Sequence, residues 1–151
     1  MSLFDVLDVS SSGLTAQRMR LETISSNIAN ASTTRTPAGG PYARHDIVFK
    51  TADVTSRGHS QSAFGEVFSA LTDDGPRGVQ VSEILEDQEP PQLRFEPNHP
   101  DADADGYVHY PNINIITEMV NMVEATRSYE ANLTMMNASK SLALQAIDLG
   151  K

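Results

Sequence analysis

Proline decides where this chain can be helical. All eight prolines lie between Pro37 and Pro111, with seven of the nine glycines, in a chain of 151 residues. Proline removes a backbone donor and clashes with the preceding helical turn. Residues 1–36 and 112–151 contain none, so they are free to form long helices around a centre that is not. The expected fold class is α+β: an N-terminal helical arm at 1–36, a β-rich acidic module at 37–111 and a C-terminal helical arm at 112–151.

Charge follows the same partition. Residues 66–105 hold eleven acids against Arg77 and Arg94, which accounts for the whole net charge of -9. The arms are poor in charge. An acidic balance argues against a chain that tracks nucleic-acid phosphates. Without cysteine there is no disulfide framework, thiolate zinc site or cysteine nucleophile. No apolar run approaches the roughly 20 residues that span a bilayer. Met1-Ser2-Leu3-Phe4-Asp5 lacks the basic stretch, apolar core and cleavage site of a secretory signal. The expectation is a soluble chain that starts in the cytoplasm, without stable membrane insertion.

In the N-terminal arm, positions 3, 7, 10, 14, 17, 21, 24, 28 and 31 read Leu, Leu, Ser, Leu, Gln, Leu, Ile, Ile, Ala. Alternating steps of four and three put them on one helical seam about 44 Å long. Gly13, after Ser10-Ser11-Ser12, is expected to be a weak point, and the helix to run from about Ser10 to Asn30. In the C-terminal arm the same spacing links Ile115, Met119, Met122, Thr126, Tyr129, Leu133, Met136, Lys140, Ala143 and Ile147. Ile116, Val120, Val123, Met135, Ala138, Leu142 and Ala146 add apolar surface beside it. A helix that is apolar on several sides is buried by several neighbours, and one partner within the chain cannot cover both flanks. Gly150 is the expected stop.

The centre reads as β. Tyr42 to Phe49, Phe64 to Leu71 and Val79 to Leu85 are expected strands, the last two separated by the turn Asp73-Asp74-Gly75-Pro76-Arg77-Gly78. Gln92 to Glu96 and Tyr107 to Tyr110 are shorter candidates. Such a module has few large aliphatics and a small core.

Chemical motifs are sparse. Asp101-Ala102-Asp103-Ala104-Asp105-Gly106-Tyr107-Val108 matches the first half of an EF-hand calcium loop, but position 12, where a bidentate glutamate belongs, is Asn112. Pro97, Pro100 and Pro111 also deny it flanking helices, so an acidic turn closed by Gly106 is the better reading. His45, His59, His99 and His109 form no metal or triad spacing, and His45 and His109 read as strand surface. Gly39-Gly40 lacks the Gly-Lys-Ser/Thr of a phosphate loop. Glu86, Asp87 and Glu89, ahead of Pro90-Pro91, read as a charged turn. Nothing calls for catalysis, a cofactor or a small-molecule substrate. Met119, Met122, Met135 and Met136 suit core filling or a subunit contact. Asn27, Asn30, Asn121, Asn132 and Asn137 are amides on largely apolar helices, a device that fixes register.

The ends of the chain carry a resemblance. Ser11-Ser12-Gly13-Leu14-Thr15-Ala16-Gln17-Arg18, followed by Ser26-Asn27-Ile28-Ala29-Asn30-Ala31, resembles the signature of bacterial flagellar rod and hook proteins. Asn121-Met122-Val123-Glu124-Ala125-Thr126-Arg127-Ser128-Tyr129-Glu130-Ala131-Asn132 resembles that family's closing helix. Pro41-Tyr42-Ala43-Arg44, Gly78-Val79-Gln80-Val81, Glu96-Pro97-Asn98-His99-Pro100 through Gly106-Tyr107-Val108, and Tyr110-Pro111-Asn112-Ile113-Asn114 are similar to its proximal rod subgroup. Asn98 stands where that subgroup commonly has glycine, and Thr126 where it often has serine.

The resemblance implies a non-enzymatic subunit of the flagellar basal-body rod, exported by the flagellar type III apparatus without a cleaved signal. Its terminal helices would pair as an antiparallel coiled-coil-like arm and stack with other rod subunits and copies of itself, with the central module outside. The subunit-packing residues expected on the N-terminal helix are Leu7, Leu14, Leu21, Ile24, Asn27, Ile28 and Asn30. On the C-terminal helix they are Ile116, Met119, Val120, Met122, Val123, Arg127, Tyr129, Asn132, Leu133, Met136 and Asn137. Two alternatives remain open: a calcium-binding module on the Asp101–Asp105 loop, and a generic helical adaptor.

Overall fold

A computed structural model describes residues 3–53 and 77–149. The expected strand at Phe64 to Leu71, most of the turn that follows it, and Gly150 lie outside the described residues. Helix α1 spans Leu3–Ala29 and helix α2 spans Ile115–Leu149, about 40 and 52 Å long at 1.5 Å per residue. Between them run β1 (His45–Asp53), β2 (Arg77–Glu86), β3 (Gln92–Phe95) and β4 (Tyr107–Tyr110). β1 pairs with β2, and β3 with β4, in two separate two-stranded sheets. The chain is α+β, with long helices at both ends.

Helix α1 corrects the expected start at Ser10, because it is already formed from Leu3. Serine and threonine usually draw the backbone away from helix. Here Ser12 Oγ donates to the Val9 carbonyl at 2.7 Å and Thr15 Oγ1 to the Ser11 carbonyl at 3.0 Å, which keeps their hydroxyls inside the helical ladder. Gly13 is not a break either. Glycine costs a helix about 1 kcal/mol relative to alanine, but a Cβ at Gly13 would lie 2.9 Å from Nδ2 of Asn132. The residue serves close approach. The helix ends where the Asn30 N–H and its side-chain amide both donate to the Ser26 carbonyl, at 3.0 and 2.9 Å. The following loop closes on itself: Thr36 N–H donates to Gly40 O at 2.9 Å and Tyr42 N–H to Thr33 O at 3.1 Å.

Helix α2 starts behind Pro111 with an N-cap. Asn114 Oδ1 accepts from the N–H groups of Ile116 and Thr117 at 3.0 and 3.3 Å. β1 begins three residues later than expected, since Tyr42 to Arg44 are held by the loop and by side chains described below. β2 takes in Arg77 and Gly78, which were expected in the turn.

These elements divide between two compact units. The first comprises Met1–Arg18, Phe49–Ser82 and Arg127–Lys151; the second comprises Met19–Val48 and Glu83–Thr126. In the first unit, Ser10, Ala16 and Ser139 are buried, and the Val79 N–H donates to Ser12 Oγ at 3.0 Å. In the second, Ile24, Val108, Ile113 and Ala125 form an apolar centre with Asn27 and Glu118 buried among them. The β3–β4 hairpin is antiparallel, with Arg94 opposite Val108 and Phe95 opposite Tyr107. One face turns Val108 inward and stacks Arg94 over the Tyr110 ring at 5.0 Å. The other leaves Leu93, Phe95 and Tyr107 exposed. Gly106, at φ +80°, has no room for a Cβ against Phe95 Cε2 and Pro97 Cβ at 3.0 and 3.3 Å, so the acidic turn needs a glycine there.

The inward seam of α2 also corrects the expected one. Its buried or half-buried positions include Glu118, Met122, Ala125, Tyr129, Asn132, Met136, Ser139 and Ala143. The four-three spacing holds, and Met122, Tyr129, Met136 and Ala143 were expected. Ala125, Asn132 and Ser139, however, replace Thr126, Leu133 and Lys140. An apolar pattern that runs all round a helix does not mark its inner side. Ala125, Asn132 and Ser139 alternate there with Met122, Tyr129 and Met136, while Ile116, Met119, Val123 and Leu133 face away.

Candidate assembly surface

The second unit contains a buried polar node. Asn27, 1% exposed, uses its whole hydrogen-bonding capacity. Its Nδ2 donates to the His45 carbonyl at 2.8 Å and to Glu118 Oε2 at 3.3 Å. Its Oδ1 accepts from the His45 N–H at 3.0 Å and the Tyr42 hydroxyl at 3.3 Å. The amide thus pairs with His45 as a neighbouring strand would. Glu118, also 1% exposed, accepts from Arg44 Nε at 3.0 Å. Burial of the Arg44 guanidinium acts to lower its pKa, but the hydrogen bond and charge of Glu118, with Asp46 behind it, raise it overall. The Tyr42 hydroxyl lies 2.8 Å from His45 Nδ1, and His45 Nε2 lies 3.6 Å from Glu86. A buried carboxylate is tolerable only when so compensated.

In the first unit the Asn132 amide is seated on Gly13, Ser10, Ala16 and Ser139 are buried, and Gln17 Oε1 is buried without a hydrogen-bond partner.

What the helices leave uncovered is apolar. In the second unit, Ile115, Ile116, Met119, Val120 and Val123 on α2 are 44–74% exposed. In the first unit, Leu133, Met135, Leu142, Leu144 and Ile147 are 41–61% exposed. Isolated soluble chains seldom show a contiguous apolar patch of more than a few hundred Å², and larger ones mark interaction sites. Of the residues expected to pack subunits, Ile116, Met119, Val120, Val123, Arg127, Leu133 and Asn137 are therefore available on the surface. Leu7, Leu14, Leu21, Ile28, Asn30, Met122, Tyr129, Asn132 and Met136 are half-buried, and Ile24 and Asn27 are enclosed by their own chain. Sequence reasoning did not single out Glu118 or Arg44 as a pair. The available signal was that Glu118 is the one charge in Ile115–Val123.

The Asp101–Asp105 loop is tied to its surroundings. Asp101 Oδ2 accepts from Thr34 Oγ1 at 2.8 Å, and its Oδ1 lies 3.9 Å from Arg35. Asp103 Oδ2 is 2.6 Å from His109 Nε2. Asn112, at the place of the missing glutamate, accepts from Gln92 Nε2 at 3.0 Å and donates to Glu89. Among the described residues no three His, Asp or Glu side chains converge at metal-ligand spacing. No described helix is long and apolar enough to cross a membrane.

The paired ends have counterparts in known proteins. Residues 7–35 match the family described as flagella basal body rod protein, and residues 104–149 match the flagellar basal body rod FlgEFG protein C-terminal family. The flagellar basal-body rod protein FlgC of Borreliella burgdorferi is 45% identical over 97% of both chains. Those of Bacillus subtilis and Escherichia coli O6:H1 are 42% and 37% identical over the full length of both. The similarity spans the two helical ends and the centre between them: the chain belongs to the FlgC family of flagellar basal-body rod proteins.

Proposed function

We propose that this chain is a structural subunit of the proximal rod of the bacterial flagellar basal body. It polymerises through its terminal helices into the axial shaft that transmits torque for motility. The observation that carries the reading is the outward side of α2, where large aliphatics are exposed in both units although the inward side is already occupied. Burial of a Val, Leu, Ile or Met side chain is worth roughly 1.5–3 kcal/mol, so neighbours that cover this side supply a strong drive to assemble.

In this reading residues 1–36 and 112–151 build the inner part of the rod, and residues 37–111 lie outside it. The partners are other rod subunits and further copies of the chain. The subunit has no catalytic role in this reading: the buried Asn27 and Glu118 are engaged in holding its own elements together. Export through the flagellar type III apparatus fits the absence of cysteine, which spares the chain from oxidation between compartments.

Val123→Asp and Leu133→Asp test the mechanism. Both residues are exposed, so each substitution should change the stability of the isolated chain by no more than about 0.5 kcal/mol. In cells lacking the natural copy, each should remove the chain from purified basal bodies and abolish swimming. Unimpaired motility with both variants would overturn the reading.

A further inference from the structure

We propose that Gly13 and Asn132 form a shape key that sets the axial register of α1 against α2 in the first unit. The register itself follows from the geometry; its consequence for assembly rests on the rod-subunit reading. Nδ2, Cγ and Oδ1 of Asn132 would lie 2.9, 3.3 and 3.4 Å from a Cβ at position 13, so the carboxamide rests on the bare backbone of Gly13. Helix propensity alone favours alanine at the middle of a 27-residue helix. The contact gives a reason for glycine.

Ser10, Ala16 and Ser139 are buried and small, and a seam of small residues tolerates sliding. A shift of one heptad would bring Ser139 to Gly13 and leave a void. It would also set Asn132 against Arg20, and the opposite shift would set it against Val6, where a full side chain already stands. Gly13 is the one glycine of α1, and Asn132 is the side chain seated on it. Gly13 and Asn27 are fourteen residues apart in sequence, as are Glu118 and Asn132. Register matters because the outward residues of α1 and α2 must be presented in step for one neighbour to cover both.

The chain has no cysteine, so introduced thiols report register directly. In the purified full-length chain under mild oxidation, Gly13→Cys/Asn132→Cys should close an intramolecular disulfide readily. Gly13→Cys/Ser139→Cys should not, since seven residues displace the second thiol by about 10 Å, beyond the span of a disulfide. Equal closure, faster closure of the second pair, or closure of neither overturns the register on which the key rests. A second arm asks whether assembly depends on it. Gly13→Asn should be lost from purified basal bodies, and the swap Gly13→Asn/Asn132→Gly should return. An unaffected Gly13→Asn chain, or a swap no better than the single substitution, overturns the link to assembly. If the wild-type chain is itself missing from basal bodies while the first pair closes, the rod-subunit reading fails and the register key stands.

Discussion

The two units join segments of the same two helices in opposite ways. In the second unit, α1 and α2 meet through Asn27 and Glu118, with Arg44, Tyr42 and His45 completing the hydrogen bonds. In the first, they meet through the Gly13–Asn132 fit, with Ser10, Ala16 and Ser139 buried. Directional hydrogen bonds specify one arrangement and demand nothing from a neighbour. Shape fitting at Gly13 brings the backbones close but leaves Gln17 Oε1 unpaired. The second unit carries a hydrogen-bonded fold determinant where the first relies on fit, and both present aliphatics to a neighbour.

The largest expected effect that sharpens this contrast comes from Arg44→Met. It leaves Glu118 buried with its charge uncompensated, which costs about 3–5 kcal/mol. Denaturant unfolding of the purified chain, followed by amide exchange in each unit, should show the loss in the second unit first. Adding Glu118→Gln should recover much of it. An exposed ion pair would give less than about 1 kcal/mol, so a small loss would place the carboxylate in solvent and dissolve the distinction between the units.

Asn27→Ala comes next. It orphans both the N–H and the carbonyl of His45, and a buried unsatisfied group costs roughly 1–3 kcal/mol. Asn132→Ala in the first unit removes no hydrogen bond seen among the described residues and should cost less than Asn27→Ala in the same unfolding experiment. Equal losses from the two substitutions would break the comparison.

How far the sequence foretold these differences depends on what each residue type reveals. The prolines marked out the arms because their effect on a helix is local and steric. β3 and β4 were legible for the same kind of reason, with alternating residues between turn formers. The inner side of α2 was not legible. Its large aliphatics attract attention in a one-dimensional pattern, yet the inward side takes in Ala125, Asn132 and Ser139, whose modest size gives them little weight in such a pattern. Gly13 was read by its propensity, as a weak point, when the structure uses it for approach. Glu118 and Arg44 stand seventy-four residues apart, and nothing local to either announces the other. The asparagines were recognised as register devices, but spacing could not say which would be met within the chain, as Asn27 is.

The smallest expected effect is a pH dependence confined to the second unit. Tyr110 has a raised pKa: partial burial is the leading cause, the hydrogen bond to Glu96 Oε2 at 3.1 Å and that carboxylate's charge add to it, and Arg94 opposes it. A raised folded value means that the folded hairpin holds the phenol proton more tightly than the unfolded chain. Its contribution to stability is present in full below the ordinary tyrosine value of about 10 and is lost as pH rises through the folded value. Absorbance titration of the phenolate should therefore show Tyr110, identified by comparison with Tyr110→Phe, ionising above that ordinary value. Glu96→Gln should bring it part of the way back, because it removes the carboxylate's charge and leaves burial in place. Amide protection in β3 and β4 should fall over the same alkaline range before it falls between the helices of the first unit. Were both units to lose protection together, the hairpin's link to Glu96 would have no separate bearing on the second unit, and the two units would have to be treated as one cooperative body at high pH.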